Sequence, residues 1–130
     1  MNDKGDKYLF DTNAIIYYFN GIIEDDGIFE IIKNSFNISI ITKIEFLGWQ
    51  KFMINNDLKS KAKRFIERAN IYQLDEDIVS QTIKNRQQFK IKTPDAIIGA
   101  TAMVYDMEIV TNNFDDFKNL GISIREVKLK

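Results

Sequence analysis

Acidic residues recur in this chain where an apolar run gives way to a helical pattern. Tyr8-Leu9-Phe10 delivers Asp11, with Thr12 and Asn13 directly behind it. An alternating segment, Phe36 to Ile40, is followed by Thr42 and then Glu45. Asp95 stands in the first turn of a helix opened by Thr93-Pro94. The run ending at Thr111 leads to Asn112, Asn113, Asp115 and Asp116. Each has a plain structural use. Asp11 or Thr12 can N-cap a helix, and Thr42-x-x-Glu45 fits a capping box. Asp95 complements a helix dipole, and Asn113-x-x-Asp116 again suits a cap. Their surroundings argue for more. Glu45 shares a helical face with Ile41, Gly48, Trp49 and Phe52, while Asp95 lies over Ile98, Gly99 and Ala102. Acids so placed are expected to turn inward, at a cost of many kcal/mol unless cations offset their charge.

The chain holds no histidine and no cysteine. Ser-His-Asp and Cys-His catalysis, His-ligated metals, zinc-thiolate sites and disulfides are thereby excluded. Any chemistry must come from carboxylates, lysine, arginine, serine, threonine, tyrosine or a bound hard metal ion. For acids turned inward together a divalent cation is the natural counter-charge, and an all-oxygen site of that kind selects Mg²⁺ or Mn²⁺. The other acidic clusters do not share the pattern. Glu24-Asp25-Asp26 and Asp75-Glu76-Asp77 sit in polar helix starts and read as caps. Asp106 simply ends a helix.

The elements that must position the acids follow from periodicity. Strands are expected at Tyr8–Phe10, Phe36–Ile40, Ile71–Leu74, Glu108–Thr111 and Ser123–Val127. Helices are expected from Asn13 to Phe19, around Ile28–Ile32, from Ile41 to Ile54, along the stripe Leu58, Ala62, Phe65, Ile66 and Ala69, from Asp75 to Phe89, from Thr93 to Tyr105, and from Phe114 to Leu120. Alternating strands and helices imply a three-layer α/β/α fold with a central parallel sheet of four to five strands. Ligands in such a sheet gather beyond the carboxyl ends of the strands, where the acids lie. With 130 residues, 45% of them apolar and 28% charged, residues 1–130 read as a single globular domain. No apolar run reaches membrane-spanning length, and Met1 to Lys7 is polar rather than leader-like, so residence in the cytoplasm is expected.

In order, these pieces resemble a PIN domain, and most of all the small VapC-type toxin ribonucleases. The matching segments are Y-L-F-D-T-N-A-I-I at Tyr8 to Ile16, I-S-I-I-T-K-I-E-F at Ile38 to Phe46, P-D-A-I-I-G-A-T-A at Pro94 to Ala102, and I-V-T-N-N-F-D-D-F at Ile109 to Phe117. The resemblance implies that Asp11, Glu45, Asp95 and Asp116 are catalytic carboxylates that bind Mg²⁺ or Mn²⁺, with Asp115 as the reserve for the fourth place. It also implies that Thr12, Asn13, Thr111 and Asn113 hold the acids in position. The expected reaction is phosphodiester hydrolysis of RNA leaving a 5′-phosphate and a 3′-hydroxyl, by a water that the bound ions activate and orient. Gly99 stands where the family often has alanine, which allows closer packing near Asp95.

A net charge of −1 suggests no nucleic-acid binder globally. Much of the negative charge, however, belongs to the acids themselves, and an acidic centre needs basic surroundings to attract RNA. Lys84, Arg86, Lys90 and Lys92 lead directly to Asp95 and are the candidate RNA contacts; Lys51, Lys59, Lys61, Lys63, Arg64 and Arg68 form a second cluster, as readily a solvated face. Phe19, Ile22, Ile23, Phe29, Phe46, Phe52, Met53 and Ile54 read first as core. By the resemblance, what the core leaves over is expected to receive an antitoxin protein and a second copy of the chain as a homodimer. RNA processing without a toxin role is the alternative reading. A haloacid-dehalogenase-like phosphatase would want an acid where Asn13 stands, and a receiver domain would want an acidic pair at the first junction, where Asp11 stands alone.

Overall fold

The computed structural model describes residues 7–130, so the polar opening before Lys7 lies outside the described residues. Five strands, β1 (Tyr8–Phe10), β2 (Asn37–Ser39), β3 (Asn70–Tyr72), β4 (Glu108–Thr111) and β5 (Ile124–Glu126), form one sheet in the order β3-β2-β1-β4-β5. Every pairing is parallel, with Leu9 opposite Ile109 and Phe10 opposite Val110. From β1 the chain moves outward to β2 and β3, then crosses back to lay down β4 and β5. The direction of winding therefore reverses between β1 and β4, and the loops diverge there to leave a crevice.

Side chains on a strand alternate between faces, and that alternation builds the two cores. Phe10, Ile38 and Val110 meet α1 (Thr12–Phe19), α2 (Asp26–Asn34), α3 (Ile40–Leu47) and α4 (Asn56–Glu67) through Ala14, Ile28, Phe46 and Ala62. Leu9 and Ile109 face the opposite way, onto Ile98 and Ala102 of α6 (Thr93–Tyr105) and Phe117 of α7 (Phe114–Phe117). The remaining helix, α5 (Glu76–Gln88), lies along α6, with Ile78 against Ile97 and Ala100. Helix α6 is buried without interruption from Ala96 to Ala102, as its all-round apolar sequence predicts. This is the expected α/β/α arrangement, with all five strands realised. Among the described residues no helix is long and apolar enough to cross a membrane.

The helix expected from Ile41 to Ile54 breaks in two. Gly48 ends α3, its N–H donating to the Ile44 carbonyl at 2.9 Å, and a 3₁₀ turn over Gln50–Met53 follows. A Cβ on Gly48 would stand 2.7 Å from that same carbonyl oxygen, so the tight exit needs glycine. Trp49 and Phe52 keep the apolar rhythm across the break because Phe52 packs on Phe46 and Trp49 on Phe52, which hides the break from periodicity. Ser39, not Thr42, caps α3, by accepting from the Ile41 N–H at 3.1 Å. Asp25 and Asp75 are caps as expected, accepting from Gly27 and Ile78 respectively. The Thr93 side chain does not cap α6; its hydroxyl accepts from Arg86 Nη1 at 2.5 Å.

Two polar ties fasten distant parts of the chain. Arg125 of β5 pairs with Asp25 at 3.0 Å, passing so close to Gly27 that a Cβ there would stand 2.6 Å from Arg125 Nη2. Buried Asn37 donates to the Tyr8 carbonyl at 2.9 Å and accepts from Asn70 at 3.2 Å, bridging three adjacent strands. Replacing Asn37 by alanine strands these partners, and the expected cost is about 2 kcal/mol. Urea unfolding should show a lower midpoint at unchanged slope; an unaltered midpoint would contradict the role assigned to this side chain.

Candidate functional site

Asp11 follows β1 at the reversal of the sheet and is only 4% exposed. It is the N-cap of α1, one oxygen accepting from the Ala14 N–H at 2.8 Å. The Thr111 hydroxyl donates to its other oxygen at 2.5 Å and itself accepts from the Asn113 N–H at 2.9 Å. The carboxylate is thus aimed by groups from both sides of the crevice. Burial nevertheless pushes its pKa up to about 6, against those two hydrogen bonds, and the charges of Asp95 and Asp116 push the same way.

Asp95, in the first turn of α6, is half-buried, and its pKa also rises to about 6. Burial is again the largest cause; Asp116 and Glu45 add repulsion, and Lys92 partly relieves it. Glu45 differs from the inward-facing acid expected of it. The buried residues of α3 are Thr42 and Phe46, which leaves Glu45 exposed on the rim, where the Thr12 hydroxyl donates to it at 2.6 Å. Asp116 is half-buried and its charge reaches both Asp11 and Asp95, whereas Asp115 is exposed and paired with Lys118 at 3.2 Å.

Two adjoining hollows share Asp95. The smaller, about 270 Å³, is lined by Asp11, Thr12, Asn13, Ile16, Glu45 and Asp95. The larger is an open cleft of about 580 Å³, with Arg86, Lys90 and Lys92 on one wall and Asn113, Asp115 and Asp116 on the other. Lys84 is exposed but does not line it, since it lies about 200° round α5 from Arg86. Two residues read above only as a cap or as part of a junction have surroundings that the sequence does not announce. Thr42, fully buried, sits 3.1 Å from the Thr12 hydroxyl, and its capping-box spacing to Glu45 masks that role. Asn112 buries a side-chain oxygen with no hydrogen-bond partner, which no local pattern announces.

Among the described residues no three acids are already gathered closely enough to hold a metal ion. Their chemistry nonetheless fits one. The donors are carboxylate oxygens, their mutual repulsion is what lifts Asp95 beyond its burial, and a hard divalent cation relieves that repulsion.

The fold is a parallel α/β/α sheet with acidic residues gathered beyond the strand ends. The family model for the PIN domain matches residues 8–122, and the chain belongs to that family. Among solved structures it is similar to a chain of a toxin–antitoxin complex from Klebsiella pneumoniae, with 28% identity over 92% of this chain and 96% of that one and a TM-score of 0.73. A chain of DNA-bound VapBC from Salmonella typhimurium is 24% identical over 92% and 97%, with a TM-score of 0.78. A chain of VapBC2 from Rickettsia felis bound to a promoter DNA fragment is 23% identical over 92% and 97%, with a TM-score of 0.77. The last two bear on the fold alone. No curated protein matches the chain.

The raised acids make a pH prediction. An acid with a folded-state pKa above its unfolded value stabilises the fold at low pH, and that contribution is lost as pH rises through the folded value. For Asp11 and Asp95 the loss runs from about pH 4 to about pH 6. In metal-free buffer Asp95→Asn should therefore melt higher than the wild type at pH 7.5, with a difference that grows over pH 4–6 and then levels off. Thermal unfolding across pH checks this; a variant that melts lower at pH 7.5 refutes it.

Proposed function

We propose that the chain is an Mg²⁺- or Mn²⁺-dependent endoribonuclease and the toxin of a toxin–antitoxin pair, whose cleavage of RNA inhibits translation or growth. The observation that carries this reading is that Asp11, Glu45, Asp95 and Asp116 come from four separate junctions to two adjoining hollows that share Asp95. There Asp95 and Asp116 act on Asp11, and Asp116 and Glu45 act on Asp95. Membership of the PIN family supports a nuclease, and the likeness to chains of toxin–antitoxin complexes supports the toxin role. These four carboxylates would hold the divalent ion, which would supply a water of lowered pKa and positive charge to offset that of the phosphate.

The chain's own residues do the rest. Thr111 and the Ala14 N–H fix the two oxygens of Asp11, and Thr12 fixes Glu45. Asn13 and Asn113 line the hollows on either side of Asp95. Arg86, Lys90 and Lys92 draw RNA phosphates into the cleft, with Arg86 steadied by Thr93. Asp116 is the fourth acid; Asp115 is engaged by Lys118.

An antitoxin and a second copy of the chain are the proposed partners, and the cytoplasm is the proposed compartment. Apolar residues outside the core support the two partners: Ile23, Phe46 and Phe52 are buried, but Met53 and Ile54 are 82% and 87% exposed, and Ile22 and Phe29 are exposed as well.

Incubating structured RNAs with and without Mg²⁺ or Mn²⁺ tests the reaction. Asp11→Asn should lower metal-dependent cleavage by about 100-fold or more; full activity in that variant would sink the site assignment. Replacing Lys90 and Lys92 together by glutamine should reduce the slope of log affinity against log salt by about 1.4, taking about 0.7 for each phosphate contact to a single strand. An unchanged slope removes them from the binding surface. Cleavage without growth inhibition on expression would favour RNA processing over a toxin.

A further inference from the structure

Glu45 is the one acid of the four that nothing buries. A free glutamate side chain loses up to about 2 kcal/mol of rotamer entropy when fixed, so a poised carboxylate here needs an anchor. Thr12 supplies the first link, donating to Glu45 Oε1 at 2.6 Å. A hydroxyl has a single proton and two acceptor sites. With its proton committed to Glu45, Thr12 Oγ1 can only accept from Thr42 Oγ1, 3.1 Å away. Thr42 is fully buried and lies on the same side of α3 as Glu45, three residues earlier.

The direction taken by this hydroxyl is unusual within the molecule. Thr82 and Thr101, also inside helices, bond back to the carbonyls of Ile78 and Ile97 at 2.7 and 2.8 Å, the ordinary habit of a helical threonine. Thr42 instead turns across to α1. The residue it reaches is the neighbour of Asp11, so the chain of hydroxyls ties Glu45 to the start of α1, next to Asp11.

We propose that Thr42 is the positioning residue for Glu45. Its hydroxyl sets the donor direction of Thr12, and Thr12 then holds the Glu45 carboxylate toward Asp95 and Asp11 before a cation arrives. The inference rests on the reading of Glu45 as a metal-binding acid, and it assigns to Thr42 a role apart from helix capping.

The test is Mn²⁺ binding to the purified chain by titration calorimetry, with no RNA present. Thr42→Val should weaken binding about 10-fold, and Thr42→Ser should restore it to within about threefold. Thr42→Val added to Thr12→Val should weaken binding no further, because both remove the same chain of bonds. Thr42→Ala is the second hydroxyl-free variant if valine does not fold. Wild-type affinity in the hydroxyl-free Thr42 variant alongside weakened binding in Glu45→Gln overturns the role of Thr42 while leaving the metal site standing. Wild-type affinity in Glu45→Gln overturns both. Additive losses in the double variant, or a serine that fails to rescue, reduce Thr42 to packing and also overturn it.

Discussion

The structure turns on one buried carboxylate. Asp11 lies where the winding of the sheet reverses, nearly sealed from water, and two hydrogen bonds only partly offset its desolvation. Both of those bonds come from the scaffold. One is the cap of α1, and the other is the Thr111 hydroxyl at the end of the neighbouring strand. To keep Asp11 in place the sheet must therefore hold β1 beside β4 in register, and α1 must start at Thr12. The same constraint brings Asp95 and Asp116 near it, since α6 and α7 pack on the face of the sheet that Leu9 and Ile109 present. Stability is given up at this point, and the remainder of the fold is arranged to tolerate it.

Gly99 shows how closely that face is built. A Cβ there would approach Leu120 Cδ1 to 2.3 Å, so the absent side chain is what lets the segment after α7 settle onto α6. Phe117 and Leu120 are both buried by that contact, and Asp116 is carried toward Asp95 on the same short helix. Packing thus separates two adjacent acids. Both line the larger cleft, but the charge of Asp116 reaches Asp11 and Asp95 whereas exposed Asp115 pairs with Lys118.

Much of this is legible in the sequence. The strand order cannot be read from periodicity, yet the parallel sheet, the central α6 and the gathering of acids at the junctions all follow from alternation and from the place of each acid after an apolar run. Reading stops where long-range geometry decides. The rim position of Glu45 depends on which side of α3 meets the core, and the periodic residues Trp49 and Phe52 belong to the turn after Gly48 rather than to that helix. Thr42 looks like a cap because its spacing to Glu45 is a capping spacing, and only the approach of α1 reveals another use. Arg86 and Thr93 lie seven residues apart on two different helices, so their bond is a product of how α5 lies on α6.

The hydrogen bond between Thr111 and Asp11 joins residues 100 positions apart, as does the ion pair between Arg125 and Asp25. A chain made from its N-terminus exposes Asp11 early and Thr111 late, and closing so long a loop is slow relative to local helix formation. On the ribosome, α1 can form and be capped well before β4 arrives to complete the crevice. The acids are then assembled only after Thr111 has been made, and a nascent chain that stops short of it carries the first acid without the bond that aims it.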